Sequence, residues 1–225
     1  MHSIPRNPQH TRLIDALGAD DSSTRLQAAM AAGSHPDPEL VEVLVERCAI
    51  EPDFFVRDML TWALTRLPTE VTMPALLAQL PADRAQARSQ ALHTLSKIGD
   101  SGAWPAITPA LLHDAEPEVA RSAWRAAVVL VPEGERAALA ADLVTQLGRG
   151  DREMQRSLSR ALVALGAAIE PALQHGLTSN DPVIRAHARA TEQLLADPEA
   201  GFELDTDAAR RVVALGPDRA AEPTC

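Results

Sequence analysis

Six segments of this chain repeat one short theme, and an internal repeat restricts the fold more than any other feature of a sequence. The segments are "DSSTRLQAAMAAG", "DFFVRDMLTWALTRLP", "DRAQARSQALHTLSKIG", "EPEVARSAWRAAVVLVP", "DREMQRSLSRALVALG" and "DPVIRAHARATEQLLAD". Most open on an acid or turn residue, place an anchoring Arg about four positions on, and continue with Ala or Leu at helical spacing. The anchors are Arg25, Arg57, Arg88, Arg121 and Arg185, with Gln155 in the same place in the fifth copy. Successive steps are 32, 31, 33, 34 and 30 residues.

A second series interleaves with the first. "MPALLAQL", "TPALLHDA" and "EPALQHGL" share Pro-Ala-Leu near a predicted helix start, and "PELVEVLVERC" and "ERAALAADLVTQL" fill the same place elsewhere. Each unit is therefore two short helices joined by a loop. Neither helix can bury its apolar stripe alone, so units must stack. Composition agrees: Ala and Leu dominate, aromatics are 3% with no Tyr, and that mixture favours helices over strands. Most of the 17 prolines fall between periodic segments or at their starts, where proline is tolerated.

Asp-x-x-Val-Arg, the following Ala/Leu spacing and a terminal Leu-Gly resemble the short HEAT-like repeats first recognised in phycobilin lyases. "DFFVRDMLTWAL" and "DPVIRAHARAT" carry the pattern best. The resemblance implies an all-α, HEAT-like α-solenoid of about six helix pairs. Expected repeats are 10–35, 36–69, 70–100, 101–132, 133–166 and 167–197, after a frayed segment 1–9. Residues 198–225 form an acidic cap and tail, with a short capping helix over Thr206–Leu215 that uses Val212, Val213, Leu215 and Phe202. The resemblance implies no lyase activity, because a fold does not carry function.

Counting from the anchor, positions three, seven and ten on are mostly apolar: Leu60, Leu64, Leu67; Ala91, Leu95, Ile98; Trp124, Val128, Val131; Leu158, Leu162, Leu165; Ala188, Glu192, Leu195. This stripe is the expected core face, with Trp124 as core filler. Phe55, aligned with Val119, Met154 and Val183, is expected in the core, and Phe54 partly exposed. The fifth position reads Trp62, His93, Ala126, Arg160 and Ala190, and the first reads Asp58, Ser89, Ser122, Arg156 and Ala186. These mixed columns are expected to face outward, on the second helices that line the concave surface of a HEAT-like stack. The anchoring arginines are expected to pair with Asp53, Asp83, Glu116 and Asp181.

Candidate binding residues are Asp58, Trp62, His93, Arg125, Arg156, Arg160 and Arg189. Trp and Arg are residue types enriched at binding hot spots. No catalytic residue, metal site or cofactor is expected. The histidines lack ligand spacing, no H-E-x-x-H or phosphate-binding Gly loop occurs, and no nucleophile elbow is present. The expected function is a non-enzymatic scaffold binding an acidic or helical protein or peptide. The alternatives are a small-molecule-sequestering solenoid and a nucleic-acid binder similar to the bacterial DNA glycosylases built from HEAT-like repeats. Asp58, Trp62 and the arginines are similar in kind to that family's basic surface, but the order Asp-x-x-x-Trp does not match its motif. A net charge of −10 also argues against phosphate binding. Cys48 and Cys225 form no metal or redox spacing, and no apolar run could span a membrane. A cytoplasmic location is expected.

Overall fold

The computed structural model describes residues 8–197, which contain twelve α-helices and no strand. The helices form six pairs. The first is α1 (Pro8–Leu17) with α2 (Ser22–Ser34), and the second α3 (Val41–Ile50) with α4 (Phe54–Thr65). The third is α5 (Thr69–Leu77) with α6 (Ala85–Ile98). In the fourth, a 3-10 segment, Ser101–Ala106, precedes the single turn α7 (Pro109–Leu112) and then α8 (Pro117–Leu130). The last two pairs are α9 (Arg136–Val144) with α10 (Arg152–Ala164), and α11 (Glu170–Leu177) with α12 (Pro182–Ala196). Pro105 and Pro109 keep the fourth first helix short, since neither can donate to a preceding turn. The capping helix expected at Thr206–Leu215 lies outside the described residues.

Two compact units meet at the Leu130–Val131 boundary. In the first, the second helices pack in chain order, α2 on α4, α4 on α6 and α6 on α8. In the second, α9 packs on α11 and α10 on α12. Fully buried leucines (Leu44, Leu60, Leu64, Leu92, Leu95) and Trp124 fill the first core, and Leu143, Leu158 and Leu162 the second. The indole N–H of Trp124 donates to the Leu112 carbonyl (2.9 Å), so its one polar atom is satisfied inside.

Three anchoring arginines pair with carboxylates, but not with the expected ones: Arg25 with Glu51, Arg88 with Asp114 and Arg121 with Glu118. Arg25 bonds the carbonyls of Ala19 and Asp20, Arg57 those of Glu51 and Pro52, and Arg88 those of Ala82 and Asp83. Arg185 bonds the Ser179 carbonyl, and Gln155 reaches Gly148 and Gly150 through its side-chain amide. In each case the guanidinium or amide ties down the corner between the two helices of its own repeat. Corner carbonyls have no helical partner, and a side chain with several fixed donors supplies one. Asp53 and Asp181 instead cap α4 and α12 through Phe55 and Val56 N–H, and Val183 and Ile184 N–H. Asp21 and Asp151 cap α2 and α10.

Phe55 is a correction. It is 69% exposed, as Phe54 is at 65%, and Val56 takes the buried place beside them. The two phenyl rings meet edge to face, 5.6 Å between centroids, in the first turn of α4.

In α2, α4, α6 and α10 the third, fourth and seventh residues after the anchor are buried: Ala28, Ala29, Ala32; Leu60, Thr61, Leu64; Ala91, Leu92, Leu95; Leu158, Ser159, Leu162. In α8 the structural anchor is Ala120 and not Arg121: its N–H closes on the Glu116 carbonyl, as that of Arg57 closes on Asp53, and the buried Ala123, Trp124 and Ala127 are the third, fourth and seventh residues after it. In α12, the last described helix, His187, Ala188 and Thr191 are buried and Arg189 is exposed. Ala126 and Ala190, expected to face outward, are buried, and Glu192, expected in the core stripe, is exposed.

Candidate functional site

Counted from Ala120, Arg125 takes on α8 the fifth place that Met30, Trp62 and His93 take on α2, α4 and α6. Four neighbouring second helices of the first unit thus present one outward side chain each: Met30 on α2, Trp62 on α4, His93 on α6 and Arg125 on α8. Met30 is 48% exposed and Trp62 38%, His93 is half-buried and Arg125 exposed. Trp62 lies across Gly33 of α2. A Cβ at Gly33 would fall 2.2 Å from Trp62 Cζ3, so only glycine lets the indole rest on that backbone. The six-membered part of the indole rests against Gly33, and part of the side chain stays in water.

Asp58, one turn before Trp62, is exposed. Electrostatics link the row further along. Burial, Arg125 and Lys97 hold the His93 imidazole below its usual value, while Asp58 acts in the opposite sense. His93 therefore stands between an acidic and a basic neighbour, and is neutral at pH 7. Arg125 bonds the Ser122 hydroxyl (3.1 Å) and lies in the field of Arg121. The row runs from apolar at Met30 and Trp62 to cationic at Arg125. Met30 was not among the sequence candidates. Its anchor-plus-five position, shared with Trp62 and His93, was the available signal.

The remaining candidates belong to the second unit. Arg160 on α10 and Arg189 on α12 are exposed, and Arg156 is half-buried. Arg160 and Arg189 stand on two packed helices, α10 and α12. That unit also holds an open apolar groove of about 610 Å³ between α9 and α11, lined by Ala137, Ala141, Val144, Pro171, Ala172 and Ile184.

Two polar clusters resemble chemical sites, and each has partners within the fold. His187 and Ser159 lie within 3.1 Å of each other inside the second unit. The Gly148 N–H donates to Nδ1 of His187 (2.9 Å), which leaves the ring proton on Nε2, facing the Gln155 carbonyl and Ser159 Oγ. An imidazole protonated at Nε2 cannot take the serine proton, and both groups are buried. Burial pushes His187 down to about 4. In the first unit, His10 faces Asp37 through Nε2 (2.6 Å) and Glu39 through Nδ1 (3.4 Å). These three are the metal-ligand grouping found among the described residues. Each ring nitrogen already meets its own carboxylate, so the set fastens the start of α1 to the loop ahead of α3. Cys48 is buried, and burial pushes its thiol up to about 12, far from a reactive thiolate.

Residues 11–87 match the family model for HEAT repeats. That stretch runs from within α1 to the start of α6. A solved structure with a similar fold is the complex of CpcE and CpcF of phycocyanin lyase from Nostoc sp. PCC7120. It is 19% identical, with a TM-score of 0.46, over 87% of this chain and 81% of that one. No curated protein matches. Among the described residues no helix is long and apolar enough to cross a membrane.

Proposed function

We propose that the protein is a non-enzymatic HEAT-repeat scaffold. A protein or peptide docks on the second-helix row of the first unit, through Trp62 with Asp58, His93 and Arg125. The observation that carries this reading is Trp62 itself. A large indole stands partly in water on a bed made for it by Gly33, beside charged groups, while the chain's other demands for aromatic bulk are met inside by Trp124. Partly exposed Trp beside Arg is the composition of a binding hot spot. Arg156, Arg160 and Arg189 form a second basic strip on the other unit that serves acidic partners in the same way. The reading places the scaffold in the cytoplasm.

Neither alternative gains support. Asp58 is exposed, whereas a carboxylate working as a base needs a desolvating pocket. The open groove of the second unit is not built around Trp62, where a sequestered small molecule was expected. The test is affinity capture from the native host with wild-type protein and with Trp62→Ala, both checked for equal melting. Partners retained by the wild type and lost from the variant support the reading. A capture profile unchanged by Trp62→Ala refutes it.

A further inference from the structure

We infer that the partner lies along the row as an extended chain, with an apolar side chain over Met30 and Trp62 and a carboxylate at Arg125, five or six residues apart. This rests on the docking reading above and adds the partner's conformation and charge.

The spacing follows from the stack. Packed helices stand about 8–10 Å apart, and α4, α6 and α8 pack in succession. Trp62 and Arg125 are two steps apart, roughly 16–20 Å. An extended chain rises about 3.3 Å per residue and covers that distance in five or six residues. A helix rises about 1.5 Å per residue and needs eleven to thirteen. The row also has the wrong breadth for a helical ligand. Such a ligand is held by an apolar stripe at i, i+3, i+4 and i+7, whereas the exposed apolar residues here are interrupted by polar ones, with Val129 (52% exposed) standing apart one turn past Arg125. Beyond Trp62 stand His93, Lys97 and Arg125, with Asp58 beside the indole. A single file of side chains, one per repeat, fits a chain that presents every third residue to the surface.

The charge follows from the same residues. On a chain of net charge −10, the α6–α8 end of the row brings Lys97 and Arg125 to a neutral His93 with Asp58 acting in the opposite sense, while Arg121, beside Arg125, is paired with Glu118 (2.9 Å). A carboxylate placed there gains a charge-assisted bond to a guanidinium. It also favours protonation of His93, so binding tightens as pH falls.

The experiment selects peptides from a displayed random library, long enough to hold both spacings, on the immobilised full-length protein. Selected peptides are then synthesised and titrated against wild type, Trp62→Ala and Arg125→Glu. The expected pool pairs an apolar residue with Asp or Glu five or six positions away. Binding should fall about tenfold or more in either variant, and selection on Arg125→Glu should replace the acid with Lys or Arg. Peptides that need Trp62 but carry the acid eleven to thirteen positions away, or carry none, overturn the extended acidic ligand and leave the docking face standing. Peptides that bind both variants as well as wild type, or no enrichment at all, overturn the docking face too.

Discussion

Trp62 and Trp124 are the same residue type in neighbouring repeat columns with opposite duties. Trp124 is fully buried and hydrogen-bonded to Leu112, and Trp62 keeps 38% of its surface. Trp124→Ala should therefore cost about 3–5 kcal/mol of stability, as large-to-small core changes do, and Trp62→Ala clearly less. Urea denaturation of the two variants measures this, and a larger loss for Trp62 would mean the indole is core. The sequence column that separated the two tryptophans failed for Phe55. Val56 satisfies the α4 contact that Phe55 was expected to make, because the buried first-turn position lies three residues after the opening acid, as Val56 does after Asp53, Val119 after Glu116 and Met154 after Asp151. Residue type alone gives no sign of this.

At the scale of the element, the repeat and its anchors were legible because they obey local rules. Helical spacing, Asp caps and proline-limited starts are all decided within a few residues. Arg57 bonds loop carbonyls and lies over the exposed Phe54 ring, and Arg185 bonds a loop carbonyl, whereas Arg25 also makes two bonds (2.8 Å each) to Glu51, a carboxylate that is completely buried. Burial opposes ionisation of Glu51, but bonds from Arg25, the Asp53 N–H and Arg47 outweigh it and bring the carboxyl down to about 2. Arg25→Met should cost about 3–5 kcal/mol, since it strips a buried ion of its main partner. Arg57→Met should cost about 1 kcal/mol, the usual worth of such bonds. Equal losses in chemical denaturation would contradict this division of labour. The register of α8 was not legible from its arginine, because Arg121 stands one place after Ala120, whose N–H closes on the opening acid, and both counts place apolar residues inward.

For the whole molecule, acid should act on the two units through different groups. His187 titrates near 6.5 in an unfolded chain and at about 4 in the second unit. Between those values the unfolded chain binds the extra proton, so stability present above pH 6.5 is lost as pH falls toward 4. The loss is on the order of 3 kcal/mol. Glu51 in the first unit runs on the usual carboxylate pattern, and its contribution is lost lower, as pH falls from about 4.5 to about 2. Melting temperature against pH, for wild type and His187→Gln, should show the variant flatter between pH 6.5 and 4; parallel curves would remove His187 as the cause. The claim that matters most is that Trp62, and not the core, meets the partner. The chain has three tryptophans, so an amide-labelled sample gives three indole N–H signals, separable with Trp62→Phe and Trp104→Phe variants. On adding the partner retained in the capture experiment, the Trp62 signal should shift or broaden while that of Trp124, bonded to Leu112, stays in place. A Trp62 signal unmoved by a saturating partner would contradict the account.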